Sequence, residues 1–183
     1  LFRNHQGDDF SRSPLVGVDE CLPTIAPCFW RGRMLPDHGE IWSAPWEVDA
    51  AAWESGVLKT SVRLKDLPFD LERTIELREN GIHLDYVLTN RSATAEHYLW
   101  AMHPLLRLRA GDKLELPAST RASLNGAAWI DHLESAMPDG DCAKVFATSV
   151  TEGFAGIHNQ STGDQLRFEW NPGENNTLGV WLT

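Results

Sequence analysis

Two short stretches carry residue types suited to acid–base chemistry. The first, "LPDHGEIWSAPWEV" (35–48), sets Asp37, His38, Glu40 and Trp42 between two prolines. Pro36 and Pro45 rule out a long helix or a central strand. These costly aromatic and titratable groups therefore sit in a loop, where binding and catalysis concentrate. The second, "WAMHPLLRL" (100–108), runs a strand into Pro104, which forces His103 to be extended and ends ladder pairing there. Histidine titrates near neutrality and serves as general acid or base. The pattern alone leaves a second reading open for both residues, that of satisfied structural histidines. His5, His83, His97, His132 and His158 have less claim to a function.

Other chemistries find little support. Asp37, His38 and Glu40 are metal-ligand types, but crowded into a Pro/Gly loop they match no spacing with known metal geometry. Cys21 and Cys28 lack a CxxC spacing. There is no GxSxG elbow, no cysteine beside a histidine, no P-loop and no GxGxxG. Neither a metal nor a cofactor is expected.

The elements that must position the two histidine stretches read as strands. From Val57 onward the hydrophobic pattern has period two. "VLKTSVRL" (57–64) alternates, and "FDLERTIEL" (69–77) puts Phe69, Leu71, Arg73, Ile75 and Leu77 on one face. "IHLDYVLT" (82–89) repeats the pattern with Ile82, Leu84, Tyr86 and Leu88. Asn80-Gly81 between them predicts a two-residue type I′ turn. That turn pairs Leu77 with Leu84, Ile75 with Tyr86 and Arg73 with Leu88, and sets Glu76 against Asp85. Arg73, inside the apolar register, either snorkels to the sheet edge or lines a cleft. Further strands are expected at 96–109, 113–116, 143–150, 154–160, 164–170 and 177–182, separated by "AGD", "MPDG", "STGD" and "NPGENN". No long amphipathic helix is evident. Pro14 to Pro45 reads as loops with short strands, and 1–14 as a poorly ordered lead-in or an edge segment. The fold class is all-β, an antiparallel sandwich or barrel, in one domain spanning 1–183.

Composition narrows the partners. The net charge of −10 disfavours nucleic acid and anionic membranes. No apolar run approaches the ~20 residues of a membrane helix, and the polar start shows no secretory signal. Three cysteines, Cys21, Cys28 and Cys142, suit a reducing cytoplasm. The sequons at Asn90, Asn159 and Asn175 would matter only in a secreted protein. Eight tryptophans are many for 183 residues. Most are expected in the core, with at least one lining a site.

Taken in order, the motifs resemble the galactose mutarotase-like superfamily, the aldose 1-epimerases. The resemblance rests on "GVDECLPTI" (17–25), "LPDHGEIWSAPWEV", "FDLERTIELRENGIHLDYVLTNRS" (69–92), "WAMHPLLRL" and "TLGVWLT" (177–183). It implies an antiparallel β-sandwich with a sugar cleft on its concave face, and cofactor-free interconversion of sugar anomers. By that resemblance His103 is the acid that protonates the ring oxygen. His38 hydrogen-bonds the sugar beside it. Glu40, Trp42, Arg33 and Asp37 frame the cleft, which takes a monosaccharide or a sugar derivative. Arg31, like Arg33, is a candidate for the family's substrate-binding arginine, and Asp131 is a candidate for an aspartate of the family's middle region. The family's glutamate base has no counterpart, because its segment would follow Thr183. The resemblance thus implies a core short at both ends, either an epimerase-like enzyme or a non-catalytic carbohydrate-binding module. Open strand edges favour self-association, with a homodimer as the candidate assembly.

Overall fold

The period-two runs are strands, and all the paired strands are antiparallel. A computed structural model describes residues 10–12, 17–109, 111–123 and 143–182. Most of the 1–14 lead-in, Asp131, His132, Cys142 and the "MPDG" turn lie outside the described residues. The sequence reading expected one domain over 1–183. The chain divides into two compact units, 1–106 and 107–183.

In the first unit the chain forms β1 (Val18–Cys21), β2 (Cys28–Trp30), β3 (Arg33–Leu35), β4 (Glu47–Val48), a short helix α1 (Ala50–Glu54), β5 (Leu58–Arg63), β6 (Phe69–Arg78), β7 (Gly81–Asn90) and β8 (Ala101–Pro104). They make a four-stranded sheet in the order β4-β5-β6-β7, a β1-β8 ribbon and a β2-β3 hairpin. Asp49 caps α1 by accepting from the Ala52 amide at 3.0 Å, the usual role of a residue with a short acceptor side chain at a helix start. Leu22, Leu35, Ile41, Val62, Leu64, Leu67, Phe69 and Leu71 are the buried core, with Trp30, Trp46 and Trp100 packed against it. The expectation that most tryptophans are core thus holds for these three, while Trp53 and Trp181 are exposed.

The second unit contains β9 (Lys113–Glu115), α2 (Ala118–Ser123), β10 (Ala143–Ala147), β11 (Phe154–His158), β12 (Gln165–Glu169) and β13 (Leu178–Leu182). Its sheets are β12-β11-β9 and β10-β13. Ala147 and Val150 are its buried centre, covered by Leu114, Leu116, Val145, Trp170 and Leu178.

Two local expectations are corrected. The β6–β7 hairpin has a two-residue loop, but its centre is Glu79-Asn80, closed by Arg78 opposite Gly81. The register therefore slides by two: Leu77 faces Ile82, Ile75 faces Leu84 and Arg73 faces Tyr86. An even shift preserves the faces. It also removes the like-charge pair, because Glu76 now faces His83. Arg78 clamps both, donating to Glu76 at 2.7 Å and meeting His83 Nδ1 at 3.0 Å. The strand expected over 96–109 shrinks to β8. Pro104 ends it, and 96–100 runs without a ladder partner, held by the Leu99 amide donating to the Pro23 carbonyl at 2.9 Å. Within the 1–14 segment, read as a poorly ordered lead-in or an edge segment, Phe10 is buried in a single 3-10 turn, Phe10–Arg12.

Two sequons are turn locks. Asn90 Oδ1 accepts from the Ser92 amide at 2.9 Å, and Asn159 Oδ1 accepts from the Ser161 and Thr162 amides at 3.0 Å. Such side-chain mimicry of a backbone turn is why Asn recurs in these positions.

Candidate functional site

Both histidines are carried to one place. His103 sits in β8, and Asp19 of β1 stands directly opposite it. His38 arrives by a sharp reversal of the 36–41 loop. His38 and Gly39 both have left-handed backbones, with φ of 57° and 69°. A non-glycine residue seldom adopts that conformation, and three hydrogen bonds hold it here. The His38 amide donates to the Ile25 carbonyl (3.3 Å), Gly39 to Pro36 (3.3 Å) and Glu40 to Leu22 (2.9 Å). Gly39 lies against Leu22, so that a Cβ there would stand 2.0 Å from the Leu22 carbonyl oxygen. Only glycine permits that approach.

The result is an edge-to-face pair of imidazoles, His38 and His103, with ring centroids 5.4 Å apart and planes at 70°. Phe10 stacks flat on His38 at 3.6 Å and meets Trp42 in a T-shaped contact at 5.2 Å. Asp37 Oδ1 lies 3.1 Å from His38 Nδ1. That is an ion-pair distance, but the contact is not aligned as a hydrogen bond, so Nδ1 remains unsatisfied. Burial raises the carboxyl of Asp19 above its ordinary 3.8, against the opposing pull of His103 and then His38. The cluster is thus two imidazoles, two carboxylates and two aromatic rings, the composition of a small acid–base site.

Two sequence candidates go elsewhere. Glu40 turns to the 64–69 segment, where its carboxylate accepts from the amides of Lys65 at 2.8 Å and Asp66 at 3.3 Å. Burial lifts its carboxyl above the ordinary 4.5, although those two amides pull it down. Its role is to fix a turn, giving two backbone amides outside a ladder their acceptor. Arg33 lines an open groove of about 440 Å³ with Trp30, Arg31, Lys65, Arg91 and Glu96. Its guanidinium donates to the Asp66 carbonyl at 3.1 Å, and neither His38 nor His103 lines that groove.

The sequence reading missed a second polar cluster. Glu20, next to Asp19 but on the other face of the ribbon, is buried. Its carboxylate accepts from Arg73 Nη1 at 2.8 Å and from the Tyr86 hydroxyl. The Arg73 guanidinium also lies 4.3 Å from the Trp46 ring centre. Burial, then the hydrogen bond and charge of Glu20, push the Tyr86 hydroxyl well above its ordinary 10.0. Arg73 thus neither snorkels freely nor lines a vacant cleft; it neutralises a buried glutamate. The signal was in the sequence: adjacent carboxylates "DE" on a strand must face opposite ways, so one of them needs an inward partner.

Among the described residues no group of three or more His, Cys, Asp and Glu side chains is arranged to hold a metal ion. No described helix is long and apolar enough to cross a membrane. Comparison of the chain with protein-family models, curated proteins and solved structures finds no match.

Proposed function

We propose that the His38–His103 cluster is a sugar site of the aldose 1-epimerase type, binding a hexose or a hexose derivative. The observation that carries this reading is the 5.4 Å edge-to-face approach of two imidazoles supplied by a loop and a strand distant in sequence. A monosaccharide is small, so the side chains that serve it must be neighbours. In this reading His103 gives a proton to the ring oxygen as the bond from that oxygen to the anomeric carbon breaks. A carboxylate takes the proton of the anomeric hydroxyl, leaving an open-chain aldehyde. Rotation of the aldehyde and closure on its other face return both protons, so no cofactor is consumed. Asp19 suits the base role, since it lies across the ribbon from His103 and burial raises its carboxyl. His38 hydrogen-bonds the sugar, and Trp42 offers an aromatic face.

A second reading, binding without turnover, is favoured by Phe10. Its ring covers one face of His38 at 3.6 Å, so a ligand must approach by the other face or displace it. Polarimetry of freshly dissolved α-glucose and α-galactose, beside calorimetric titration with the same sugars, separates the two. Turnover lost in His103→Ala and in Asp19→Asn supports the enzyme. Binding without turnover, lost in His38→Ala and His103→Ala, supports the module. Neither binding nor turnover with any hexose ends both readings.

A further inference from the structure

We propose that β7 is a self-association edge, through which two copies of this chain join their four-stranded sheets into one. β7 is the terminal strand of the β4-β5-β6-β7 order among the described residues. It pairs with β6 without a bulge from Gly81 to Asn90. An unprotected strand of this length is a template for another strand, and proteins usually blunt such an edge with lysine, proline or a bulge. β7 reads "GIHLDYVLTN" and has none of the three.

The hairpin geometry says which residues face the open edge. Arg78 and Gly81 close a two-residue loop, so Gly81, His83, Asp85, Val87 and Thr89 are the positions bonded to β6. The backbone groups of Ile82, Leu84, Tyr86 and Leu88 therefore point outward. A second β7 can add antiparallel with Leu84 opposite Leu84, a register that satisfies the groups of Ile82, Leu84 and Tyr86 in both copies.

Side chains favour this register. It sets His83 opposite Asp85 twice, at the closely spaced non-bonded positions, where an imidazole N–H can donate to the facing carboxylate. Centring on Asp85 would instead set two carboxylates face to face. On the other face the same register joins Ile82 to Tyr86 and Leu84 to its copy. That face packs on the core at Tyr86 and Leu88 but is open to water toward the hairpin, with Leu77, Ile82 and Leu84 exposed by 84%, 64% and 37%. Burying it gives the association a hydrophobic term that edge hydrogen bonds alone lack. The interface is small, so the dimer is expected to depend on concentration.

Cysteine scanning tests the register in a chain carrying Cys28→Ser and Cys142→Ser. Paired positions in a bonded register lie about 5.5 Å apart between Cα atoms, within reach of a disulfide. Leu84→Cys should form a disulfide-linked dimer under mild oxidation, and Asp85→Cys, Tyr86→Cys and Val87→Cys should not. Sedimentation equilibrium should show a monomer–dimer equilibrium in the unmodified chain. Asp85→Lys should weaken it about tenfold or more, the effect of an edge lysine and a lost polar pair. Leu84→Pro should do the same, since the Leu84 amide is not bonded to β6. A chain that stays monomeric at high concentration overturns the proposal. So does crosslinking strongest at 85, 86 or 87, or dimerisation unchanged in folded Asp85→Lys.

Discussion

Glu20→Gln should destabilise the first unit severely. Glu20 is 6% exposed and accepts two hydrogen bonds, from Arg73 and from Tyr86. The Arg73 side chain is 22% exposed. Glutamine keeps the volume but removes the charge, and its amide group turns a donor toward one of the two donors it must meet. Removing one partner of a buried ion pair costs about 3–5 kcal/mol. The partial exposure of Arg73 and its contact with Trp46 place the expected loss at the lower end, about 3 kcal/mol. For an m-value of about 2 kcal/mol/M, that moves the urea midpoint down by about 1.5 M. The assay is urea unfolding followed by tryptophan fluorescence, because Trp46 and Trp100 pack against the core beside the network. Tyr86→Phe leaves the ion pair intact and should cost about 1.5 kcal/mol, one hydrogen bond to a charged group. The double variant should lose less than the two single losses combined, since both act through Glu20. A Glu20→Gln midpoint within about 0.5 kcal/mol of the parent, the range of an ordinary surface change, would refute the reasoning. Strict additivity would also count against a shared network.

Two other outcomes follow from the same contacts. Glu40→Ala should leave the Lys65 and Asp66 amides without their acceptor, a local loss of about 2 kcal/mol or about thirtyfold in exchange protection; unchanged amide exchange at 65 and 66 would show that the turn holds itself. Asp19→Asn should change how stability depends on pH. Burial raises the Asp19 carboxyl above 3.8 in the folded chain. As pH rises through that window the folded state still holds a proton that the unfolded chain has lost, so stability falls. The difference between parent and variant melting temperatures should therefore decline as pH climbs past 3.8, and a flat or rising difference would contradict the burial argument.

The sequence by itself determined the strands. Alternation in 57–64, 69–77 and 82–89 is a local property, because successive side chains must face opposite sides of a sheet. The runs expected at 154–160, 164–170 and 177–182 likewise contain β11, β12 and β13. The histidine stretches were legible as candidates because their prolines marked them as loop and strand end. What the sequence left open was decided by contacts between distant segments. Asn80-Gly81 announced a hairpin, but its register is the one that sets Leu71 and Leu88 together against the core. Glu40 and His38 share a loop, yet two amides 25 and 26 residues onward claimed the glutamate. Asp19 and Glu20 are neighbours in sequence, and the twofold pleat of β1 sent one toward the histidines and the other to Arg73 and Tyr86. Periodicity assigns a residue to a face; which partner waits on that face depends on tertiary packing, and so does the meeting of His38 with His103.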